Sequence, residues 1–492
     1  MTASLKTKTI HALSWSFIET IGLQGTHFII GVILARLLLP EQFGLIAMLS
    51  IFMAVAQSLL DSGFGSALIQ KQDITQTDLS SVFYFNILIG IAAAGLLSIS
   101  APYIATFYNQ PELIALTRAM SLIIVINSFS LIQYTLAAKN LNFKTITKVS
   151  VLSNVISGII GISMAYNGFG VWSLVSQQIS RSFLSAILLW IFNSWRPSLS
   201  FSIKSLKNMF GYGSRMLASG LLNQIFNNLH LLVIGRIFTA ASLGFFTRAK
   251  SLSELPAQSI TSMVGRVTFP VFSSIQDDIP RIKNGMKKAL TTLALITFPI
   301  MIGLAVTARP VVLLLFTDKW AESIPYVRLL SIIGMLYPLH VINLNILQAL
   351  GRSDLFFRLE VIKKILIVIN IAVTWRWGIM AMIYGMLVIS IISYYFNSYY
   401  NKFMIKYSFT EQLFDLLPYI IISSIMGLSV YSFELIHFKS ILLLLICQIT
   451  SGLIIYLLLC RIFQVKAFMD LLRTVLNKIN LPKNKIITSQ EI

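Results

Sequence analysis

Runs of about twenty apolar residues follow one another almost from end to end of this chain, separated by short polar turns. A helix of that length spans the hydrocarbon core of a bilayer, so the repetition restricts the chain to a bundle of membrane-crossing helices. The alternating segments of about ten residues that build an outer-membrane barrel are absent. Composition agrees with this. Of the 492 residues 56% are hydrophobic and 11% charged, where a soluble domain carries about 25% charged residues.

The runs divide into fourteen expected spans. Six cover roughly 11–37, 43–65, 82–106, 113–137, 147–166 and 170–193. Six more cover roughly 208–237, 243–265, 288–308, 324–349, 356–375 and 378–400, and a final pair covers 413–433 and 438–461. One set of connecting loops and tails holds 26 Lys and Arg, and the opposite set holds 6. Lys and Arg are retained on the cytoplasmic side, so both termini are expected in the cytoplasm. The first run is too long for a cleavable signal and lacks a small-residue cleavage site, so it is expected to remain as helix one.

The formal charge of +20 does not point to nucleic acid, because the basic residues lie in small groups between spans. Cys447 and Cys460 fall in one expected helix, too far apart along it to bond each other. No metal site or cofactor is expected. The loops are short, and GxxxxGK[ST], HExxH and GxSxG are missing, so no enzyme activity is expected.

An internal echo organises the spans. "ARLLLPEQFGL" (Ala35–Leu45) returns as "GRIFTAASLGF" (Gly235–Phe245), with Arg36 and Gly44 answering Arg236 and Gly244 at an offset of 200. Further on the offset drifts to about 210. There "TRAMSLI" (Thr117–Ile123) meets "VRLLSII" (Val327–Ile333), and "GFGVWSLV" (Gly168–Val175) meets "RWGIMAMI" (Arg376–Ile383). Six spans per copy make the repeats parallel, related by an axis along the membrane normal, an arrangement that commonly encloses a central cavity. The expected divisions are a six-helix lobe at 1–200, a second at 201–405, two added helices at 406–462 and a basic cytoplasmic tail at 463–492. The echoed Arg36 and Arg236 read as snorkelling anchors at helix ends, and Gly44 and Gly244 as permits for close approach where the next helix begins.

Several stretches resemble the polysaccharide flippases of the multidrug/oligosaccharidyl-lipid/polysaccharide superfamily, particularly the Wzx-type colanic-acid and teichuronic-acid exporters. They are "LLLPEQFGLIAM" (Leu37–Met48), "DSGFGSALIQKQDIT" (Asp61–Thr75), "GFGVWSLV", "GRVTFPVFSSIQDD" (Gly265–Asp278) and "LQALGRSDLFFRLEVIKK" (Leu347–Lys364). The resemblance implies two six-helix lobes around a cavity lined mainly by spans 1, 2, 7 and 8. It also implies what such a protein does, which is to move an undecaprenyl-diphosphate-linked oligosaccharide repeat unit from the cytoplasmic to the periplasmic leaflet by alternating access. Implied partners are that lipid-linked substrate, membrane lipids, a coupling ion (proton or sodium) and other polysaccharide-assembly membrane proteins.

Ionisable groups inside spans cost about 2.5–3.5 kcal/mol each on insertion scales, so each needs a partner or a wet cavity. Arg215, Arg248 and Lys250 are expected to form a cationic lining for a diphosphate or a uronic carboxylate. Glu254, Glu19 and Asp61 are expected to balance those cations or take up a coupling ion; Asp61 also reads as helix-end solvation. Lys250 and Glu254 stand i, i+4, and Pro256 beyond them is expected to kink the helix. Arg181 reads as polar glue within a lobe, and His27, His230 and His340 as satisfied core residues. The same charges read as structural ion pairs if nothing is carried. A multidrug exporter on the same fold would favour acidic cavity residues. A glycan polymerase or ligase would need a large outward loop, and a non-transporting scaffold would tolerate loss of the buried charges.

Overall fold

The computed structural model describes residues 22–61, 63–436 and 438–479, and among them the chain is helical with no strand. In order, the first helices are α1 (Gly22–Leu37), α2 (Pro40–Asp61), α3 (Phe64–Gln70), α4 (Gln76–Tyr108), α5 (Leu113–Lys139) and α6 (Phe143–Tyr166). Then come α7 (Val171–Phe192), α8 (Ile203–Ile237), α9 (Ala240–Ser274), α10 (Ile279–Val306), α11 (Ala308–Phe316) and α12 (Ile324–Gly334). The last are α13 (Tyr337–Ala349), α14 (Ser353–Thr374), α15 (Ile379–Ile405), α16 (Phe409–Tyr431), α17 (Ile441–Ile462) and α18 (Lys466–Ile479).

Eleven of the described helical stretches are long and apolar enough to cross a membrane, and Gly22–Leu37 is a shorter apolar one. Helices α9 and α14 stand where spans were expected but fall outside those eleven. Each interrupts its apolar run with charge: Arg248, Lys250 and Glu254 in one, Arg358, Glu360, Lys363 and Lys364 in the other. The polytopic all-helical architecture is therefore established, without a count of fourteen. Buried helices in lipid satisfy their own backbone groups, which leaves the ends to be capped. Thr75 and Asp78 form a capping box for α4, and Ser408 and Glu411 do the same for α16.

The chain divides into two compact units, Met1–Arg248 with Leu315–Trp320, and Ala249–Leu314 with Ala321–Ile492. In the first, α4 packs on α5, α6 on α7, and α8 on α2, α3 and α4. Small residues set the spacing: a Cβ on Gly90 would lie 2.6 Å from the Cβ of Ser128. In the second, α10 packs on α16, and α16 on α17, around a core that includes Met286, Leu290, Phe298, Tyr419 and Met426. The boundaries read at 200/201 and 405/406 follow the repeat, whereas packing draws α8 to the first unit and α16 and α17 to the second.

Backbone geometry repeats along with the sequence. Left-handed residues occur at Asn109 and Thr317, Leu141 and Gly351, and Gly170 and Gly378, each pair roughly 210 positions apart. Gly170 and Gly378 are the N-cap residues of α7 and α15, so the matched "GFGVWSLV" and "RWGIMAMI" begin helices in the same way. A positive φ at both favours glycine on either copy.

Candidate functional site

In the first unit the two echoed hairpins meet. A Cβ on Gly44 would lie 1.7 Å from the carbonyl oxygen of Ala240, and one on Gly244 would lie 1.9 Å from that of Pro40. Position 40 answers 240 and position 44 answers 244 at the repeat offset. The first turns of α2 and α9 therefore cross reciprocally, each glycine seated on the backbone of the other copy. Only glycine fits such a crossing.

Beside this crossing the segment 315–320 docks on the end of α1. Arg36 Nε donates to Leu315 O at 2.9 Å, Lys319 Nζ donates to Arg36 O at 3.2 Å, and Trp320 Nε1 donates to Ala35 O at 2.8 Å. These bonds cap carbonyls that the end of a helix leaves open. Arg36 is thus a specific tie to that segment, while Arg236 lies 5.2 Å over the ring of Phe107.

Trp320 is fully buried and packs edge-on against Phe43, with ring centroids 5.3 Å apart. The half-buried Arg248 completes the cluster. Its guanidinium carbon lies 4.4 Å from the ring centre of Phe43, 5.5 Å from that of Phe316 and 5.8 Å from that of Trp320. On another side Nη1 lies 3.0 Å from where a Cβ on Gly31 would stand. Each ring contributes about 0.5–2 kcal/mol of cation–π attraction, the more so away from water. Among the described residues no carboxylate pairs with Arg248, and its charge is oriented by aromatic faces.

The remaining expected site residues are dispersed. Arg215 is exposed on α8, two positions beyond Gly213, whose backbone meets the α2–α3 junction at Gly63. Phe43 and Gly63 mark opposite ends of α2, so Arg215 and Arg248 are separated by about 27 Å of helix rise. One phosphate group cannot touch both, and the single cationic lining read from sequence resolves into two positions along α2. Asp61 is exposed at the end of α2, where Gln57 Nε2 donates to its Oδ1 at 3.1 Å. That geometry fits helix-end solvation. Glu19 lies outside the described residues. Arg181 on α7 meets His27 on α1, Nη1 to Nε2 at 2.5 Å, while Asn154 on α6 donates to Thr26 Oγ1 at 2.7 Å. Both contacts bind α1 to its neighbours, as polar glue does.

In the second unit Lys250 and Glu254 stand 3.8 Å apart with side chains 28% and 25% exposed. Gln258 Nε2 donates to Glu254 Oε2 at 3.1 Å, so the three residues form a ladder down one face of α9. The helix runs on through Pro256, whose missing N–H leaves the carbonyl of Leu252 without its usual donor. The depth of this unit also holds what sequence reading missed. Asn343, Asn397, Asn401 and Gln412 are fully buried. Asn401 Nδ2 donates to Asn343 Oδ1 at 2.7 Å, Gln412 Nε2 donates to the same oxygen at 3.2 Å, and Tyr394 OH donates to Gln412 Oε1 at 2.8 Å. His340 touches Ser390 and Asn397, each at 3.1 Å, and is a satisfied core residue as expected. The signal for this network was present in Asn397 and Asn401, i, i+4 within an apolar run. No comparable signal announced the rings around Arg248, because Phe316 and Trp320 come from a turn some seventy residues downstream.

With this geometry in hand, the chain can be set beside known proteins. Residues 33–325 match the family described as polysaccharide biosynthesis protein. Over 384 residues the chain is 29% identical to the teichuronic acid biosynthesis protein TuaB of Bacillus subtilis (strain 168), covering 77% of this chain and 79% of that one. It is 28% identical over 405 residues to the lipopolysaccharide biosynthesis protein WzxC of Escherichia coli (strain K12), covering 79% and 80%. It is also 28% identical over 367 residues to the succinoglycan biosynthesis transport protein ExoT of Rhizobium meliloti (strain 1021), covering 74% of each. Among solved structures it is similar to the lipid II flippase MurJ in an inward closed conformation, with a TM-score of 0.75 at 17% identity over 94% of this chain and 100% of that one. An inward-facing multidrug resistance MATE family transporter scores 0.60 at 14% identity over 80% and 99%. At such identities these two likenesses are of fold.

Proposed function

The chain belongs to the polysaccharide biosynthesis protein family, and on that premise we propose that it is a flippase for a lipid-linked oligosaccharide. Its substrate is an undecaprenyl-diphosphate-linked repeat unit, moved by alternating access from the cytoplasmic to the periplasmic leaflet of the bacterial inner membrane. The product then passes to other polysaccharide-assembly membrane proteins. The chain acts as a transporter and makes or breaks no covalent bond. Its lobes follow the repeat, with two six-helix halves and an added C-terminal pair, and the lysine-rich ends and both termini face the cytoplasm.

One observation carries the assignment of a site. Arg248 is a cation held in a frame of Phe43, Phe316 and Trp320, with no acidic partner among the described residues. Rings fix the plane of a guanidinium without consuming its N–H donors, which leaves a fork that matches two phosphate oxygens. A cation already paired to a carboxylate would have to break that pair first. Arg215, at the other end of α2, is a separate earlier contact on the path. Lys250 and Glu254 form a pair that substrate or a coupling ion competes to open, with Glu254 carrying the proton or sodium. A drug exporter on this fold is the alternative, and its support is likeness of fold alone.

The test uses a strain whose own copy is deleted. Parent protein is expected to restore surface polysaccharide and to prevent lipid-linked oligosaccharide from accumulating, as read by mass spectrometry. Arg248→Ala is expected to do neither at normal membrane abundance. Full restoration by that variant would remove Arg248 from the path, and a deletion strain that accumulates no lipid-linked oligosaccharide would sink the flippase reading itself.

A further inference from the structure

We propose that the lysine-rich end of the second unit holds an anionic phospholipid of the cytoplasmic leaflet, in a cleft between α10, α16 and the start of α18. The leaflet assignment rests on the orientation proposed above; the site itself does not depend on transport.

The cleft is built by a sharp change of direction. Helix α17 stops at a left-handed Gln464, φ +47°, and Val465 N–H donates back to Cys460 O at 3.0 Å. The chain then enters α18 at once. Val465 and Ala467 are buried and Phe468 packs against the core of the second unit, so α18 is clamped against its neighbours. Its sequence sets Ala467, Phe468, Leu471 and Leu472 apart from Lys466, Asp470 and Arg473 at helical spacing. That is the pattern of a helix lying in a membrane interface.

Under this helix lies a cavity of about 750 Å³. Its apolar lining is Phe414, Pro418, Tyr419 and Phe463, of which Tyr419 is buried and the others are exposed; Lys287, Lys288, Lys466, Asp415 and Asp470 line it too. Asp415 is already engaged. Lys287 Nζ is 2.6 Å from Oδ1, and Tyr407 OH donates to Oδ2 at 2.7 Å. Lys288 and Lys466 are exposed. Lysines beside exposed aromatic side chains suit a molecule with phosphate at one end and methylenes at the other. Free phosphate would leave the aromatic side chains bare, and in a zwitterionic lipid the choline cation offsets much of what its phosphate gains from the lysines. The starts of α10 and α16 and the end of α17 converge here, where anionic headgroups of a cytoplasmic leaflet attract basic side chains.

The experiment is thermal unfolding of the full chain in detergent, titrated with dioleoylphosphatidylglycerol, dioleoylphosphatidylcholine or inorganic phosphate. Phosphatidylglycerol is expected to raise Tm with a half-maximal concentration about thirty-fold below that of phosphatidylcholine, the scale of preference that a pair of lysines confers. Phosphate alone is expected to leave Tm unchanged. The double variant Lys288→Gln/Lys466→Gln is expected to keep the lipid-free Tm and lose the preference. If the double variant does not accumulate, Lys466→Gln alone, at an exposed first-turn position, is expected to reduce it to about five-fold. Equal responses to both lipids, a matching response to phosphate, or an undiminished preference in the variant would each overturn the site.

Discussion

Helices α2 and α9 are copies that begin alike and continue differently. Pro40 and Gly44 open one, Ala240 and Gly244 open the other, and each pair rests on its counterpart. Beyond the crossing, Met48, Ser50, Ala54 and Ala56 in α2 stand where α9 has Arg248, Lys250, Glu254 and Pro256. Helix α2 goes on to line an apolar groove of about 560 Å³ with Ile51, Phe52, Val55 and Leu59. Helix α9 carries a framed cation and an ion pair instead. The two copies share the joint and differ in the charge carried beyond it. The joint cannot vary, because backbone meets backbone there; the later turns can, because side chains meet whatever the neighbours supply.

The largest expected effect tests the joint. Gly44→Val and Gly244→Val should each destabilise the protein by at least about 3 kcal/mol, since the crossing has no slack for a side chain. Membrane abundance and thermal unfolding in detergent read this, with Gly95→Ala, which meets open space, as a near-neutral control. A marked inequality between the two valine variants would break the reciprocal reading of the crossing.

Next comes the chemistry of the second copy. Arg248→Met writes the residue of α2 into α9, and export should fall at least about ten-fold while abundance holds, equivalent to about 1.4 kcal/mol of lost interaction. Arg248→Lys should recover little, because an ammonium lacks the planar fork. An export rate within two-fold of the parent, on the order of a minor barrier change, would mean that α9 differs from α2 for structural reasons only.

Smaller effects refine the frame. Trp320→Phe keeps a ring near Arg248 and loses the bond to Ala35 O, so stability should drop by about 1 kcal/mol, with a partial loss of export. Loss of export without loss of stability would show that the indole orients Arg248 more than it anchors the segment. Asn343→Leu in the second unit should cost about 1–3 kcal/mol by stranding the amides of Asn401 and Gln412, with no change in which substrate accumulates. The smallest effect is expected from Glu254→Gln, whose export should fall below the parent's under an imposed proton or sodium gradient and lose the parent's response to that gradient. A variant that exports like the parent under every gradient would remove Glu254 from coupling.

Much of this protein was legible in order along the chain. Apolar runs near bilayer length dictate helices, because lipid offers a backbone no other partner. The echo of Arg36 and Gly44 at Arg236 and Gly244 disclosed the duplication, and the glycines proved to mark a close approach. Such features are local or periodic, so sequence alone determined them. The fate of each charge was a different matter. Lys250 and Glu254 could be paired from their spacing, since four residues make one helical turn. Arg215 and Arg248 could not be separated from sequence, because the length of α2 lies between their surroundings only after α8 and α9 have packed beside it. Nor could Arg36 be seen to grip Leu315, or Arg248 to lie against Trp320. Those partners come from distant parts of the chain, and only tertiary packing, which is blind to order along the sequence, decides which aromatic face meets which cation.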